Sequence, residues 1–591
     1  MVLTKESDNS DITEKLVSMS KRRGFYWPSF EIYGGIAGFY DYGPLGMLMR
    51  NSITDTWRRI YRSEDFYEID TPTVNPESVF RSSGHLEFFT DYLVDCNSCH
   101  ESFRADHLVD LAGAPSTPET LSKKLSEEKT RCPRCGSRNF SAPRPFNLMF
   151  QTQIGPAGSK TGYLRPETAQ GIFMNFQQIN RFFREKLPFG VIQTGRGYRN
   201  EISPRQGLLR LRELNMLEAE LFIDPSEKQW KDFVKIKDVK LNLLPRSGKQ
   251  TTISADEAVR GGIIGSEVLA YFMCLTHRFM VSVGVDPSRS RFRQHAKDEM
   301  AHYSTETWDF EAELSSGWTE VAGVAYRGSY DLSAHIKGSS ADLTFFRKSG
   351  TERVERKAIV RANRPKLGPV YKEKAKEMAL LIEQLSPEDV HGKKSIWIQF
   401  KGNRIDVPAE FFSVVETEEK VRGEKFVPHV VEPSMGLDRI FFTVLEHSFS
   451  ESDGYVVLRL PPRIAPIKAG VFPLLDDSRM TEAALAIHDE LLVGGVEPYY
   501  DDSGSIGRRY ARMDEVGTPY CITVDDVTLK DGTVTVRERD SRKQVRIGRK
   551  DLAGSIGRLL SGGRLEDFGS PVEQKEESMG EVLSLEPHYT G

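Results

Sequence analysis

Cysteine is scarce, with six residues in a chain of 591. A disulfide framework is therefore excluded, and four of the six fall in two Cys-x-x-Cys pairs that suit a metal in a reducing compartment. Long apolar runs are missing too. No 18 consecutive uncharged apolar residues occur, and residues 1–21 mix charges without an apolar stretch. Neither a membrane span nor a secretion signal is expected, and the chain reads as cytoplasmic. Charge of one sign is not in excess. The formal net charge is -5, so any nucleic-acid surface must be a local patch, which excludes nonspecific DNA packaging. What remains is an ordinary globular composition, 39% apolar, in a chain too long for one core, predicting two to four domains.

Periodicity outlines the elements. An amphipathic helix is expected from Leu45 to Ile60, running into a short strand before Thr71-Pro72. Ser98 to Thr130 is a polar excursion between the two cysteine pairs. Phe189 to Gln193 and Leu208 to Ile223 read as extended, joined by Ser203 to Gly207 into a long antiparallel hairpin. A charged excursion from about 336 to 425 includes a helix, Tyr371 to Leu385, with Ala375, Met378, Ile382 and Leu385 inward. Ser448 to Gly454 reads as a polar linker. Beyond it, strand Tyr455 to Leu458, helix Met480 to Val493 closed by Gly494-Gly495, strand Val496 to Tyr500 and β-rich sequence to Leu552 predict a compact mixed α/β domain. The expected domains are 1–450, interrupted by 92–142 and 336–425, then 451–562 and an acidic tail, 563–591.

The hairpin carries the first chemical signal. Strand alternation would put Arg199 with Glu201 on one face, and Arg210, Arg212, Leu214, Glu218 and Glu220 together, while Leu211, Leu217, Ala219 and Leu221 face the other way. A solvated face laced with cross-strand ion pairs is the bland explanation. Against it, Arg165-Pro-Glu167, Trp318-Thr-Glu320 and the segment Glu432 to Arg439 supply further guanidiniums and carboxylates near strand ends. ATP chemistry uses such groups, because arginine forks bind phosphate oxygens and a carboxylate holds Mg²⁺. Arg439 falls in the opening turn of an apolar helix, where it opposes the helix dipole. Aimed at a phosphate, the same arginine adds to the dipole, whereas a structural arginine would pair with a neighbouring acid.

Longer strings carry a resemblance. Gly34 to Pro44 (GGIAGFYDYGP), Phe103 to His107 (FRADH), Phe146 to Phe150 (FNLMF), Tyr163 to Phe173 (YLRPETAQGIF), Tyr198 to Arg210 (YRNEISPRQGLLR) and Arg291 to His295 (RFRQH) resemble the glycyl-tRNA synthetases of archaeal and eukaryotic type, class II aminoacyl-tRNA synthetases. The resemblance implies an α+β fold, with an antiparallel sheet of six or seven strands flanked by helices, a zinc-ribbon-like insertion and a C-terminal mixed α/β anticodon-binding domain. It also implies a homodimer acting on ATP, glycine and tRNA(Gly), with Mg²⁺ accompanying ATP. Arg199 would bind the α-phosphate, Glu201 the adenine amino group, Arg210 the polyphosphate and Arg439 the γ-phosphate. Asn200 and Leu211 would join the nucleotide site, and Glu320 would lie beside ATP, with Arg199, Glu320 and Arg439 as the catalytic set. Glu167, Glu218, Glu432 and Ser434 would surround the glycine ammonium.

Glycine offers no side chain to grip. Its affinity must come from ammonium and carboxylate, and alanine must be excluded by steric clash, since a missing methyl contact is worth only about 1–3 kcal/mol. Two positions depart from the family pattern: Leu214 stands where an aromatic usually stacks on adenine, and Tyr326 interrupts Ala325-Tyr326-Arg327, leaving Arg327 without an assigned role. Cys96, Cys99, Cys132 and Cys135 have the two-knuckle spacing of a structural zinc ribbon, while Cys274 and Cys521 sit in apolar runs as core residues. In the last domain Arg463, Lys468, Arg509, Arg512 and the run Gly532 to Asp540 combine cations with aromatics, as phosphate contacts and base stacking require. Two alternatives stand beside this reading: a class II synthetase of other specificity, and a noncatalytic nucleic-acid-binding accessory protein on the same scaffold.

Overall fold

A computed structural model of the chain describes residues 5–572 except 112–113, 157, 159, 205, 228, 297–298, 302 and 401. Most of the acidic tail expected at 563–591 lies outside the described residues. The chain divides into two compact units, Met1–Leu343 with Pro428–Gly591, and Thr344–Val427. Among the described residues no helix is long and apolar enough to cross a membrane.

The first unit is organised on a nine-stranded sheet. Its strands are β1 (Tyr67–Glu68), β2 (Phe189–Tyr198), β3 (Glu213–Ile223), β4 (Lys240–Leu244), β5 (Thr251–Ser254), β6 (Ser290–Gln294), β7 (Glu306–Leu314), β8 (Gly317–Gly328) and β9 (His429–Gly436), in the order β5-β4-β6-β7-β8-β9-β3-β2-β1. The six central strands, β6-β7-β8-β9-β3-β2, are antiparallel, and β1 and β4 join them in parallel. One face is covered by helices α1 (Pro44–Arg62), α2 (Glu267–Ser282) and α4 (Leu437–Ser448), while α3 (Tyr330–Ser339) follows β8. Helix α1 begins with Pro44 at its first position and buries Met49, Ile53, Trp57 and Tyr61, one stripe at four-residue spacing. Helix α2 is started by the Ser266 hydroxyl, which accepts from the Leu269 N–H, and is buried along most of its length. Leu217, Ala219 and Leu221 of β3 join this core, so Glu218 and Glu220 are left to the opposite face.

The hairpin differs from the expected one at its tip. β2 runs to Tyr198 and β3 begins at Glu213, with a 3-10 turn at Gly207–Leu209 between them. Arg199, Glu201, Arg210, Leu211 and Arg212 are therefore loop residues, and strand alternation does not assign their faces. Arg212 instead braces the loop, donating to the carbonyls of Ala37 at 2.6 Å and Glu201 at 2.9 Å. The expected linker at Ser448–Gly454 is a second hairpin, Phe449–Ser452 with Tyr455–Leu458. Its two-residue turn is Asp453-Gly454, both in the left-handed region that such turns demand. Polarity concealed an Asp-Gly hairpin signal.

Three smaller parts stand beside that sheet in the sequence. Strands Thr90–Asp95, Ser102–Arg104 and Arg144–Asn147 form the sheet that carries the cysteines, with helix Pro118–Glu127 inserted between the pairs. In the second unit a long hairpin, Phe345–Ala362 with Phe412–Phe426, supports helices Arg364–Tyr371 and Ala375–Glu383. The single helix expected over Tyr371 to Leu385 starts instead at Ala375, because the backbone at Lys372 has φ +46° and ends the preceding helix. Met378 and Ile382 face its core as expected. The C-terminal domain has a six-stranded sheet over Ala469–Pro473, Pro498–Tyr500, Tyr520–Val524, Thr533–Glu538, Gln544–Gly548 and Ser570–Pro571.

Much of the basic sequence in that domain is structural. Arg509 is buried and donates to the Gly504 carbonyl at 2.8 Å, Arg512 to Asp501 at 2.6 Å, and Lys468 to the Arg463 and Ala465 carbonyls at 2.8 and 2.7 Å. Arg537 forms a buried fork to Asp514 at 2.9 and 3.0 Å, and Arg539 donates to the carbonyls of Gly517 and Leu460. These cations are corrected from nucleic-acid contacts to internal braces, while Arg463 and Arg508 remain exposed. Removing one partner of a buried pair leaves an uncompensated charge. Asp514→Ala is accordingly expected to destabilise the C-terminal domain by about 3–5 kcal/mol, read as a lower unfolding midpoint in denaturant; an unchanged midpoint contradicts the assignment.

Candidate active site

The sheet face away from α1 and α2 presents its polar side chains in rows. The strand registers place Gln193 beside Glu218, Glu218 beside Ser434, Ser434 beside Gly323, Gly323 beside Asp309 and Asp309 beside Arg293. Facing residues on neighbouring strands share a face, so this row crosses the sheet as one line of side chains. Glu432 lies one pleat away, opposite Ala325. A cleft of about 270 Å³ opens over these rows.

The cleft gathers nearly every residue expected in the site. Arg199, Glu201, Arg210, Leu211, Glu320 and Arg439 line it together with Glu167, Glu218, Glu432 and Ser434. Asn200 does not line it; its backbone N–H donates to the Leu148 carbonyl at 2.7 Å, which fixes the loop that carries its two neighbours. Leu214, the departure from the family pattern, lines the end that carries the arginines. At that end Arg439 donates to the Leu209 carbonyl at 3.0 Å, and to the Glu320 carbonyl and carboxylate at 2.8 and 3.2 Å. Arg210 lies 3.1 Å from Glu201, and Arg199 is anchored through the Pro166 carbonyl at 3.3 Å. Asp438, in the opening turn of α4, accepts from the Asn215 backbone and side chain at 2.6 and 2.8 Å and from the Tyr42 hydroxyl at 2.5 Å, which pins the helix start that projects Arg439.

The other end is acidic, and each of its three glutamates has donors. Glu218 accepts from the Thr168 N–H at 2.6 Å, the Thr168 hydroxyl and the Ser434 hydroxyl at 3.1 Å. Glu167 accepts from Gln170 at 3.0 Å and lies 3.4 Å from His85. Glu432 accepts from Arg327 at 2.7 Å. Between the two ends, Gly323 leaves the floor bare. A Cβ there would meet only Asp309 Oδ1, at 3.8 Å, and its φ is not left-handed, so neither protein packing nor backbone conformation calls for glycine. Glycine inside a strand marks close approach of a ligand or another backbone.

Residues 156–327 match the family described as tRNA synthetase class II core domain (G, H, P, S and T), and residues 463–559 match the anticodon binding domain. The chain is 48% identical to a glycine–tRNA ligase of Methanothrix thermoacetophila, over 95% of this chain and 100% of that one. It belongs to the glycine–tRNA ligase family. A glycine–tRNA ligase of Methanocaldococcus jannaschii is 45% identical over 93% of this chain and 99% of its own. Among solved structures, Giardia lamblia prolyl-tRNA synthetase in complex with prolyl-adenylate shares the fold, with a TM-score of 0.52 at 15% identity, covering 94% of this chain and 79% of that one.

The residue that sequence reasoning left without a role organises this family member's acidic end. Arg327 is 1% exposed and donates to Asp331 at 2.7 and 2.8 Å and to Glu432 at 2.7 Å, with Glu167 at 3.7 Å. Its guanidinium also lies 3.7 Å from the centre of the Tyr303 ring. Burial pushes Glu167 up, but His85, Arg327 and Gln170 outweigh it and hold that carboxyl well below the usual range. Burial also pushes Glu432 up; Arg327 opposes this while Glu167 and Glu218 add to it, and the net result is about 7. No local motif betrayed Arg327, because its partners come from β9, α3 and the segment before Ala169.

A second cluster was also missed. His295 Nε2 meets Asp309 at 2.7 Å, and Arg293 holds Asp309 at 2.7 Å, Glu311 at 2.8 Å and Glu299 through two bonds of 2.8 Å. His295, Glu299 and Asp309 have the spacing of metal ligands, yet Arg293 already compensates their charge. In the cysteine sheet, all four Sγ atoms of Cys96, Cys99, Cys132 and Cys135 lie within 4.8 Å of one another, with Cys96–Cys135 at 3.6 Å and Cys99–Cys132 at 3.7 Å. A zinc tetrathiolate with bonds of 2.3 Å has edges of about 3.8 Å. The cluster therefore fits zinc. Cys274 and Cys521 are buried, with burial pushing the Cys274 thiol up to about 12, as inert core residues should be.

The raised Glu432 carboxyl makes a stability prediction. Its folded pKa of about 7 exceeds the unfolded value, so its contribution is full below about pH 4 and is lost as pH rises through 7, by at most about 4 kcal/mol. Glu432→Gln removes that loss while Arg327 keeps Asp331. The variant is expected to melt at a higher temperature than the parent at pH 8 and at nearly the same temperature at pH 5; a lower melting temperature at pH 8 contradicts the electrostatic reading.

Proposed function

We propose that this chain activates glycine with ATP to glycyl-adenylate and transfers the glycyl group to the 3′ end of tRNA(Gly). The observation that carries the reading is a single cleft with a buried trio of glutamates at one end and Arg199, Arg210 and Arg439 at the other. The ammonium sits among Glu167, Glu218 and Glu432 with Ser434, at the end where a side chain would meet the crowded acids. The glycine carboxylate is then directed along the floor at Gly323 toward the α-phosphorus. In-line attack forms the new C–O–P link as pyrophosphate leaves, and Arg199 and Arg439 offset the charge that develops. No protein nucleophile or general base is required. Glu320 at the cleft wall is the carboxylate that would hold Mg²⁺ carried with ATP, which would supply neutralisation of phosphate charge. Zn²⁺ is assigned to Cys96, Cys99, Cys132 and Cys135 as a structural ion.

The C-terminal domain is assigned to anticodon recognition, with exposed Arg463 and Arg508 as phosphate contacts. Helix α1 and β1 are assigned to a homodimer interface, and the enzyme to the cytoplasm, where its substrates are. The accessory-protein alternative has nothing in its favour at the cleft, which keeps Arg199, Glu201, Glu320 and Arg439 together.

Exchange of labelled pyrophosphate into ATP across the twenty amino acids tests the reaction. Glycine alone is expected to support exchange; no exchange, or exchange with another amino acid only, overturns the reading. Arg199→Ala is expected to lower exchange about 10²–10³-fold, the loss seen when one transition-state donor is removed, with oligomeric state unchanged. The zinc assignment predicts one metal per chain by elemental analysis, lost in Cys96→Ser/Cys132→Ser; full metal content in that variant contradicts it.

A further inference from the structure

One carboxyl behind the acidic end has no hydrogen-bond partner among the described residues. Glu220 of β3 is 0% exposed, and among the described residues neither of its oxygens has a hydrogen-bond partner. Buried polar groups are almost always satisfied, so an orphaned carboxyl calls for an explanation. It does not line the cleft. The register that pairs Glu218 with Ser434 and Leu221 with Val431 places Glu220 directly across from Glu432, on the face of β3 that also bears Glu218. Glu220 is thus a second layer behind the cleft wall, with Val191 on its other side.

The charges that face it come from four elements. Glu432 lies on β9, Arg327 on β8, Asp331 on α3 and Glu218 on its own strand. Arg327 is already committed: its Nε and Nη2 serve Asp331 and its Nη1 serves Glu432 Oε2. Among the described residues no cation is left for Glu220. A buried carboxylate with neither donor nor counter-charge takes up a proton rather than remain ionised. As a neutral acid it gains an O–H, and the acceptor that the register sets beside it is Glu432.

We propose that Glu220 is a positioning residue for the amino-acid site: a neutral carboxylic acid whose O–H donates across the strand pair to Glu432, keeping Glu432 an ionised acceptor for the substrate ammonium. The proposal deepens the glycine-activation reading and rests on it. Burial pushes the Glu220 carboxyl well up, and the facing Glu432 adds to the effect. A hydrogen bond to the charged form of Glu432 works in the opposite sense on that neighbour, favouring its ionised state. Glu432 then meets the incoming ammonium as a carboxylate supported on one side by Arg327 and from behind by Glu220. Without the donor, a proton competes with the ammonium for Glu432.

The test uses the full-length enzyme and two variants. Glycine-dependent exchange is measured from pH 6 to 9, with the Michaelis constants for glycine and ATP separated from turnover. Glu220→Leu removes the donor, and it is expected to raise the glycine KM about fivefold at pH 7, a deficit that closes by about pH 8.5, with the ATP KM and kcat unmoved; a rise of one unit from about 7 leaves roughly a tenth rather than a half of Glu432 ionised at pH 7. The conservative variant Glu220→Gln, an isosteric neutral donor, is expected to rescue the glycine KM to within about twofold at pH 7. Loss in Glu220→Gln as large as in Glu432→Gln overturns the proposal, because Glu220 would then act as an ionised ligand. An unshifted pH profile in Glu220→Leu overturns it as well. A glycine-free readout separates this proposal from the functional reading: the parent enzyme at pH 7.5 should show an infrared band of a protonated carboxyl that Glu220→Gln lacks. Absence of that band in the parent overturns the proposal whatever the substrate, whereas absence of glycine-dependent exchange in the parent overturns the functional reading.

Discussion

Five carboxyl groups share one small volume with one buried guanidinium, and Arg327 makes that crowding tolerable. Glu167, Glu218, Glu220, Glu432 and Asp331 come from β3, β9, α3 and the segment before Ala169, and burial alone would push the four glutamates toward the neutral form. Arg327 commits its fork to Asp331 and its remaining nitrogen to Glu432, so the charge it carries is divided rather than spent on one pair. Replacing a buried cluster of this kind with apolar residues would often stabilise a fold. Its position behind a cleft that Glu167, Glu218 and Glu432 line points to use, since an acidic pocket with incomplete compensation is poised to accept one more cation.

The arginine end is built on the opposite plan. Carbonyls orient two of its arginines, Arg199 through Pro166 and Arg439 through Leu209 and Glu320, while single carboxylates stand beside Arg439 and Arg210, those of Glu320 and Glu201. A carbonyl orients a guanidinium without cancelling its charge, leaving the field available for phosphate. The two plans meet over Gly323, the one bare position in the row from Glu218 to Asp309. A zwitterion laid across that gap would have its ammonium over the acids and its carboxylate toward the arginines. Geometry and charge therefore run in the same direction.

Much of this was legible in the chain. Long motif strings located the strands and loops that converge on the cleft, and alternation in Leu217 to Leu221 separated core from site correctly because β3 is a continuous strand there. Alternation failed at Arg199, Glu201, Arg210 and Arg212, where the hairpin tip is irregular and loop hydrogen bonds set the directions. It also had no means of finding Arg327, whose meaning depends on Glu432 and Glu167, distant in sequence, as much as on the nearby Asp331. The basic appearance of the C-terminal domain misled for a related reason: Arg509, Arg512, Arg537 and Arg539 have acids or carbonyls waiting inside the fold, and composition does not distinguish a braced cation from a free one. The Asp453-Gly454 turn was readable, but a polar run drew attention away from it.

The most direct measurement is a high-resolution structure of the enzyme with glycine and a non-hydrolysable ATP analogue. The account predicts the ammonium nitrogen at hydrogen-bond distance, about 3 Å, from carboxylate oxygens of Glu218 and Glu432, with Arg327 still bound to Asp331 and Glu432. An ammonium held elsewhere, or an Arg327 that leaves Glu432 to bind the substrate, would contradict it.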